Sequence, residues 1–132
     1  MKLETDWKSV NAKPEAVFAF LSDMNNMQKL MPEQVINWTS DEESCQFMIK
    51  GMAELGMKIT NKTASSSIMM SSHGKVPFPF TLEVLIQPAA ENSEAKINFD
   101  GEVNAFLRMM VEKPLGNFFG MLLDGLAKQF GN

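Results

Sequence analysis

The stretch NAFLRMMVEKPLGNFFGMLLDGLAKQF, residues 104–130, decides how the rest of the chain is read. At a helical period Leu115, Phe118, Phe119, Leu122, Leu126 and Phe130 share one broad face, with Lys113, Asn117, Asp124 and Lys128 opposite. Such a helix needs a large apolar surface to lie against. Ahead of Pro114, Phe106, Leu107, Met109, Met110 and Val111 form a denser apolar patch. Proline lacks an amide hydrogen and its ring crowds the preceding turn, so the helix is expected to be interrupted there and bent near Met110. One half would then cover a core and the other a cavity.

The surface for this helix must come from the residues before it. Lys2 to Val10 alternates Leu3, Thr5, Trp7 and Ser9 against Lys2, Glu4, Asp6 and Lys8, the pattern of one strand with a solvated face. Pro14 and Glu15 suit the first turn of a helix that continues through Val17, Phe18, Leu21 and Met24. After Asn25 and Asn26, a second short helix carries Met27, Leu30 and Met31 and stops at Pro32. From Glu33 to Val103 the period is two, with polar turns, which is the signature of an antiparallel meander. Strands are expected at 34–39, 44–50, 53–63, 65–72, 78–87 and 93–103. Inward rows are Ala95, Ile97, Phe99, Gly101 and Val103; Phe80, Leu82, Val84 and Ile86; and Leu55, Met57 and Ile59. Pro77 and Pro79 cannot donate to a ladder, so that segment begins at an edge or a bend.

Composition narrows the function. A chain of 132 residues is read as one domain, spanning 1–132. A formal charge of -4 supplies no cationic field for a phosphate backbone, so nucleic acid is not an expected partner. No apolar run has the ~18 residues of a membrane span. With one cysteine, Cys45, and a charged N-terminal stretch, the expected location is the cytoplasm. Twelve methionines and ten phenylalanines against no tyrosine describe an adaptable apolar interior with few polar handles.

The run Val10-Asn11-Ala12-Lys13-Pro14-Glu15-Ala16-Val17-Phe18, then Leu21, Asp23 and Leu30-Met31-Pro32, resembles the START and birch-pollen-allergen superfamily, often called SRPBCC proteins. Leu107 to Leu115 looks like the start of the C-terminal helix in its polyketide cyclase and dehydrase-like members. The resemblance covers essentially the whole chain. It implies an α+β helix-grip fold: a curved antiparallel sheet, read here as about seven strands, with two short helices after the first and a long C-terminal helix across the sheet. It also implies an apolar pocket between sheet and helix. The expected ligand-lining residues are Met57, Met70, Phe80, Leu82, Phe99, Leu107 and Met110, and the expected partner is a small hydrophobic molecule such as a lipid, quinone or polyketide. Met70 is chosen over Met69 because adjacent strand residues face opposite ways.

Other chemistry is thin. His73 is the only histidine and has no sequence neighbour to fix its tautomer; a surface turn is the plainer reading. Cys45 and His73 sit on different predicted strands, and Cys45 is expected to be a small buried or half-buried hydrophobe. Asp100 and Glu102 share a strand face with Lys96 and Asn98, which marks the solvated side. Asp41, Glu42 and Glu43 read as a hairpin loop. No metal-ligand cluster and no nucleotide-cradling glycine string is present in the sequence, so neither metal nor cofactor is expected. Gly116 and Gly120 would admit a close-packed strand, a ligand or a second protomer, with Met121 and Leu123 as candidate contacts of a homodimer. The alternative functions are a polyketide cyclase or dehydrase-like enzyme and a protein-interaction module.

Overall fold

The computed structural model describes residues 1–131. Strands β1 (Lys2–Glu4) and β2 (Lys8–Val10) lead to helices α1 (Pro14–Leu21) and α2 (Met24–Met27), the latter running into a 3-10 turn over Gln28–Leu30. Strands β3 (Val35–Ser40), β4 (Ser44–Ile49), β5 (Ala53–Thr63), β6 (Ser67–Ser72), β7 (Phe80–Ala89) and β8 (Asn92–Gly101) follow, and α3 (Ala105–Gln129) closes the chain. The eight strands form one antiparallel sheet in the order β1-β8-β7-β6-β5-β4-β3, with β2 also on β8. This is an α+β helix-grip architecture in which α3 lies across the curved sheet.

The period-two rows pack as the alternation requires. Phe80, Leu82, Val84 and Ile86 on β7 are buried, as are Ala95, Ile97 and Phe99 on β8. Met70 is fully buried while Met69 is only half-buried, since neighbours in a strand take opposite faces. On α3 the buried positions are Val111, Leu115, Phe118, Phe119, Leu122, Leu123, Leu126 and Ala127, a stripe recurring every three or four residues.

The two short helices divide at Ser22 and Asp23, with Asn25 and Asn26 inside α2 rather than at a break, because Asp23 caps the second helix by accepting from Asn25 N–H. The sheet and the closing helix also depart from expectation. The first strand is not continuous. Between Glu4 and Lys8 the chain advances four residues while its partner moves only from Asn98 to Ala95, so one extra residue bulges out. Thr5 anchors the break: its N–H donates to the Ile97 carbonyl at 3.0 Å and its Oγ1 accepts from Ile97 N–H at 2.9 Å. The bulge exchanges the faces, so Leu3 points inward before it and Val10 after it, leaving Trp7 38% exposed. The closing helix, in turn, is not interrupted at Pro114. Its helical span runs through the proline, and both Pro114 and Met110 are exposed, so the turn that loses a donor lies where water can reach it.

Caps and a close crossing set the position of α3. The Asn104 side chain accepts from Leu107 N–H at 2.8 Å and satisfies one of the orphan donors of the first turn. Near the other end the 3-10 turn crosses the helix at Gly125, where an added Cβ would stand 2.6 Å from the Leu30 carbonyl oxygen. Gly116 and Gly120 have nothing within 4 Å of the same hypothetical atom. Leu123, expected as a partner contact, is buried in the core instead, while Met121 is 41% exposed.

Candidate functional site

The space between sheet and helix is filled first by aromatic rings. Phe80 stacks on Phe99 at 5.3 Å between centroids, Phe99 meets Phe119 at 5.0 Å, and Phe119 meets Phe118 at 6.0 Å. Phe118 then reaches Phe47 at 6.1 Å, and Phe47 stacks on Trp38 at 5.3 Å. This chain of rings crosses the interior from β8 to β3 and occupies the middle of the grip. A small apolar void of about 20 Å³ remains beside it, bordered by Met57, Leu82, Leu122 and Leu126 among others. A void of that size holds about one solvent-sized sphere and no ligand.

The larger opening lies to one side. A groove of about 500 Å³ runs between α3 and the β4–β5 turn, bounded by Ile49, Met52, Ala53, Leu55 and Phe78 on one wall and by Leu107, Met110, Val111, Leu115 and Phe118 on the other. Its volume falls within the range of small-molecule pockets, about 300–1,000 Å³. Each wall follows from local sequence. The β4–β5 hairpin turns at Gly51, whose φ of 77° only a residue without a side chain adopts freely, and this holds Met52 and Ala53 over the groove. Pro77 and Pro79 keep the segment before β7 out of the ladder, which leaves Phe78 free to turn inward, where it is 6% exposed. The first two turns of α3 carry Phe106, Met109 and Met110 exposed at 73%, 84% and 59%. They extend the apolar wall past the groove into solvent.

The residues expected to line a single pocket are therefore divided. Leu107 and Met110 border the groove. Met57 and Leu82 border the small void. Met70 and Phe80 are buried in the sheet-facing core, as is Phe99, whose strand also borders a shallow mixed-charge hollow with Lys2, Glu83 and Asp100. Sequence reasoning did not pick out Met52, Ala53 or Phe78, and it placed Val111 in the apolar patch ahead of Pro114 without counting it among the lining residues. Gly51 and the paired prolines were the available signal, because they mark where the sheet stops covering the helix.

The groove is poor in charge. Gln34, Lys50 and Asn117 are the polar residues among those bordering it, and no carboxylate is among them. Arg108 pairs with Glu112 at 2.8 Å along the exposed side of α3.

The sole cysteine and the sole histidine do come together, at a separate hollow of about 320 Å³ with Thr39, Asp41, Ser44 and Gln46. They do not form a nucleophilic pair of the activated kind. Burial pushes the Cys45 thiol up to about 12, the Met57 N–H opposing that shift and the Asp41 charge adding to it. A thiol so placed carries little thiolate at neutral pH. Asp41 itself is held below the usual carboxylate range by the N–H groups of Glu43 and Ser44, 2.9 and 2.8 Å away, and by the Ser44 hydroxyl. Its work is to close the β3–β4 turn. Among the described residues no three His, Cys, Asp or Glu side chains gather as a metal-ligating group, and no helix is long and apolar enough to cross a membrane.

Comparison with known proteins bears on the fold. No protein-family model matches the chain, and no curated protein matches it. Solved structures do. The solution structure of KanY protein superposes with a TM-score of 0.79 at 15% identity, covering 100% of this chain and 98% of that one. An uncharacterized protein from Bacillus thuringiensis gives 0.77 at 11% identity over 100% of both chains. The protein TTHA0849 from Thermus thermophilus gives 0.75 at 14% identity over 98% and 97%. At these identities the likeness is one of fold, compatible with the helix grip.

Proposed function

We propose that this protein is an SRPBCC-type helix-grip protein of the cytoplasm that binds or carries a small hydrophobic molecule, and that the groove between α3 and the β4–β5 turn is the binding site. The observation that carries the reading is the groove itself: about 500 Å³, walled by Met52, Leu55, Phe78, Leu107, Met110 and Phe118, and open to solvent beside exposed Phe106 and Met109. Apolar walls of this kind hold a ligand through shape and dispersion. Methionine adds adaptability, since its unbranched thioether refits to different outlines at low cost. The full-length match to solved structures of similar fold supports the architecture on which the reading depends.

Native mass spectrometry of the purified protein, followed by thermal melts with a panel of quinones, aliphatic chains and aromatic polyketide mimics, tests this. A bound apolar species should survive purification. Alternatively, at about a hundredfold excess over Kd a panel member should raise Tm by roughly 5–10 °C. Ala53→Trp, which fills the groove from its partly exposed wall, should abolish the gain while the unliganded melt stays cooperative. Absence of any bound species and of any stabilisation across the panel overturns the proposal.

A further inference from the structure

The polar residues of the groove are not scattered. Lys50 N–H donates to the Gln34 carbonyl at 2.9 Å, so these two residues are cross-strand neighbours where β3 and β4 meet the hairpin. The Gln34 side chain reaches α3, its Nε2 donating to Met121 Sδ at 3.2 Å. Asn117 stands one turn before Met121 on the same helix face and borders the same groove. Gln34 and Asn117 thus lie toward the Met121 end, with Lys50 across the strands from Gln34. The opposite end, at Pro77, Phe78, Leu107 and Met110, is apolar. From Leu107 to Met121 the helix rises about 20 Å, which is the length over which the groove passes from apolar to polar.

The charge at the polar end has one sign. The chain as a whole carries a formal charge of -4, yet the charged residue bordering the groove is a lysine. Lys50 forms no ion pair among the described residues, and no carboxylate borders the groove to neutralise it. A lysine without an ion pair, on the border of an apolar groove that Gln34 and Asn117 also border, is complementary to an anionic oxygen group on an aliphatic body.

We infer that the groove takes a single-chain amphiphile with an anionic head, its head met by Lys50 with Gln34 and Asn117 beside it and its chain lying along α3 toward Phe78 and Leu107. This deepens the reading of the groove as a hydrophobic-ligand site and rests on it. A cationic or purely hydrocarbon occupant leaves Lys50 without a partner.

Isothermal titration calorimetry with decanoate, decan-1-ol and decyltrimethylammonium, each below its aggregation limit, separates the two levels of the argument. Decanoate should bind about tenfold or more tightly than decan-1-ol, the difference a charge-assisted hydrogen bond supplies, and decyltrimethylammonium should bind most weakly. Lys50→Gln, a change at an exposed turn residue, should bring decanoate to the affinity of decan-1-ol and leave decan-1-ol unchanged. Amide perturbations by nuclear magnetic resonance should fall on residues 49–53 and 107–121. If decan-1-ol or the ammonium compound matches decanoate, or Lys50→Gln has no effect on decanoate, the anionic-head assignment falls while the hydrophobic site stands. If none of the three binds, or the perturbations lie elsewhere, the site falls too.

Discussion

Gly116, Gly120 and Gly125 lie within one helix, and their surroundings make them behave in opposite ways. At Gly125 a methyl group would press on the Leu30 backbone, with 2.6 Å to the carbonyl oxygen and 3.1 Å to Cα. Backbone yields less readily than the end of a side chain, so Gly125→Ala should destabilise by about 1–3 kcal/mol in urea unfolding. At Gly116 and Gly120 nothing stands within 4 Å, and alanine should stabilise by up to about 1 kcal/mol at each. The sequence spacing singled out Gly116 and Gly120 as the close approach. It could not do otherwise, because spacing along a helix carries no record of which turn another segment crosses. Cys45 shows the converse, a residue whose quiet role was legible. Its thiol stays protonated in the folded state up to about 12, against an ordinary value of 9.0. Between those two values the unfolded chain releases the proton and the folded chain keeps it. Stability should therefore fall with rising pH across that window, by about 1.4 kcal/mol per pH unit from this group. A Cys45→Ala variant should show a flatter decline when urea midpoints are compared from pH 9 upward.

At the scale of elements, the strands and the closing helix were readable because each hides one face. Alternation located β5 at Ala53–Thr63 and the inward rows of β7 and β8, and helical spacing located the buried stripe of α3. The bulges were not readable. The one between Glu4 and Lys8, and the one in β3 where Asn37 takes a φ of 57°, depend on how a partner strand is registered rather than on either strand alone. The proline in α3 was overweighted for a related reason. Its cost is set by whether the freed carbonyl and the crowded turn can face water, and Met110 and Pro114 are both exposed. The cost persists even so. Pro114→Ala restores a donor to that carbonyl and should raise stability by about 1–3 kcal/mol, seen as a higher Tm with the fold unchanged by circular dichroism.

At the scale of the molecule, the interior is decided by the rings that close it. Phe119 is 2% exposed and meets Phe99 and Phe118 at centroid distances of 5.0 and 6.0 Å. Truncation to alanine removes the plug in the middle of the grip, and Phe119→Ala should cost about 3–5 kcal/mol by urea denaturation. Affinity for decanoate should change little, because Phe119 does not border the groove. The succession of short helices, meander and closing helix, the buried rows of β7 and β8, the buried stripe of α3 and the net negative charge were determined by sequence alone, since periodicity and charge are properties of the chain before it folds. The place of the opening was decided only by the tertiary structure. A cavity is the volume that side chains from several elements fail to fill, and here Phe80, Phe99, Phe118 and Phe119 fill the centre. The groove survives at the margin, where Gly51 and Pro77 end the cover of the sheet and Leu107 and Met110 on α3 reach past it.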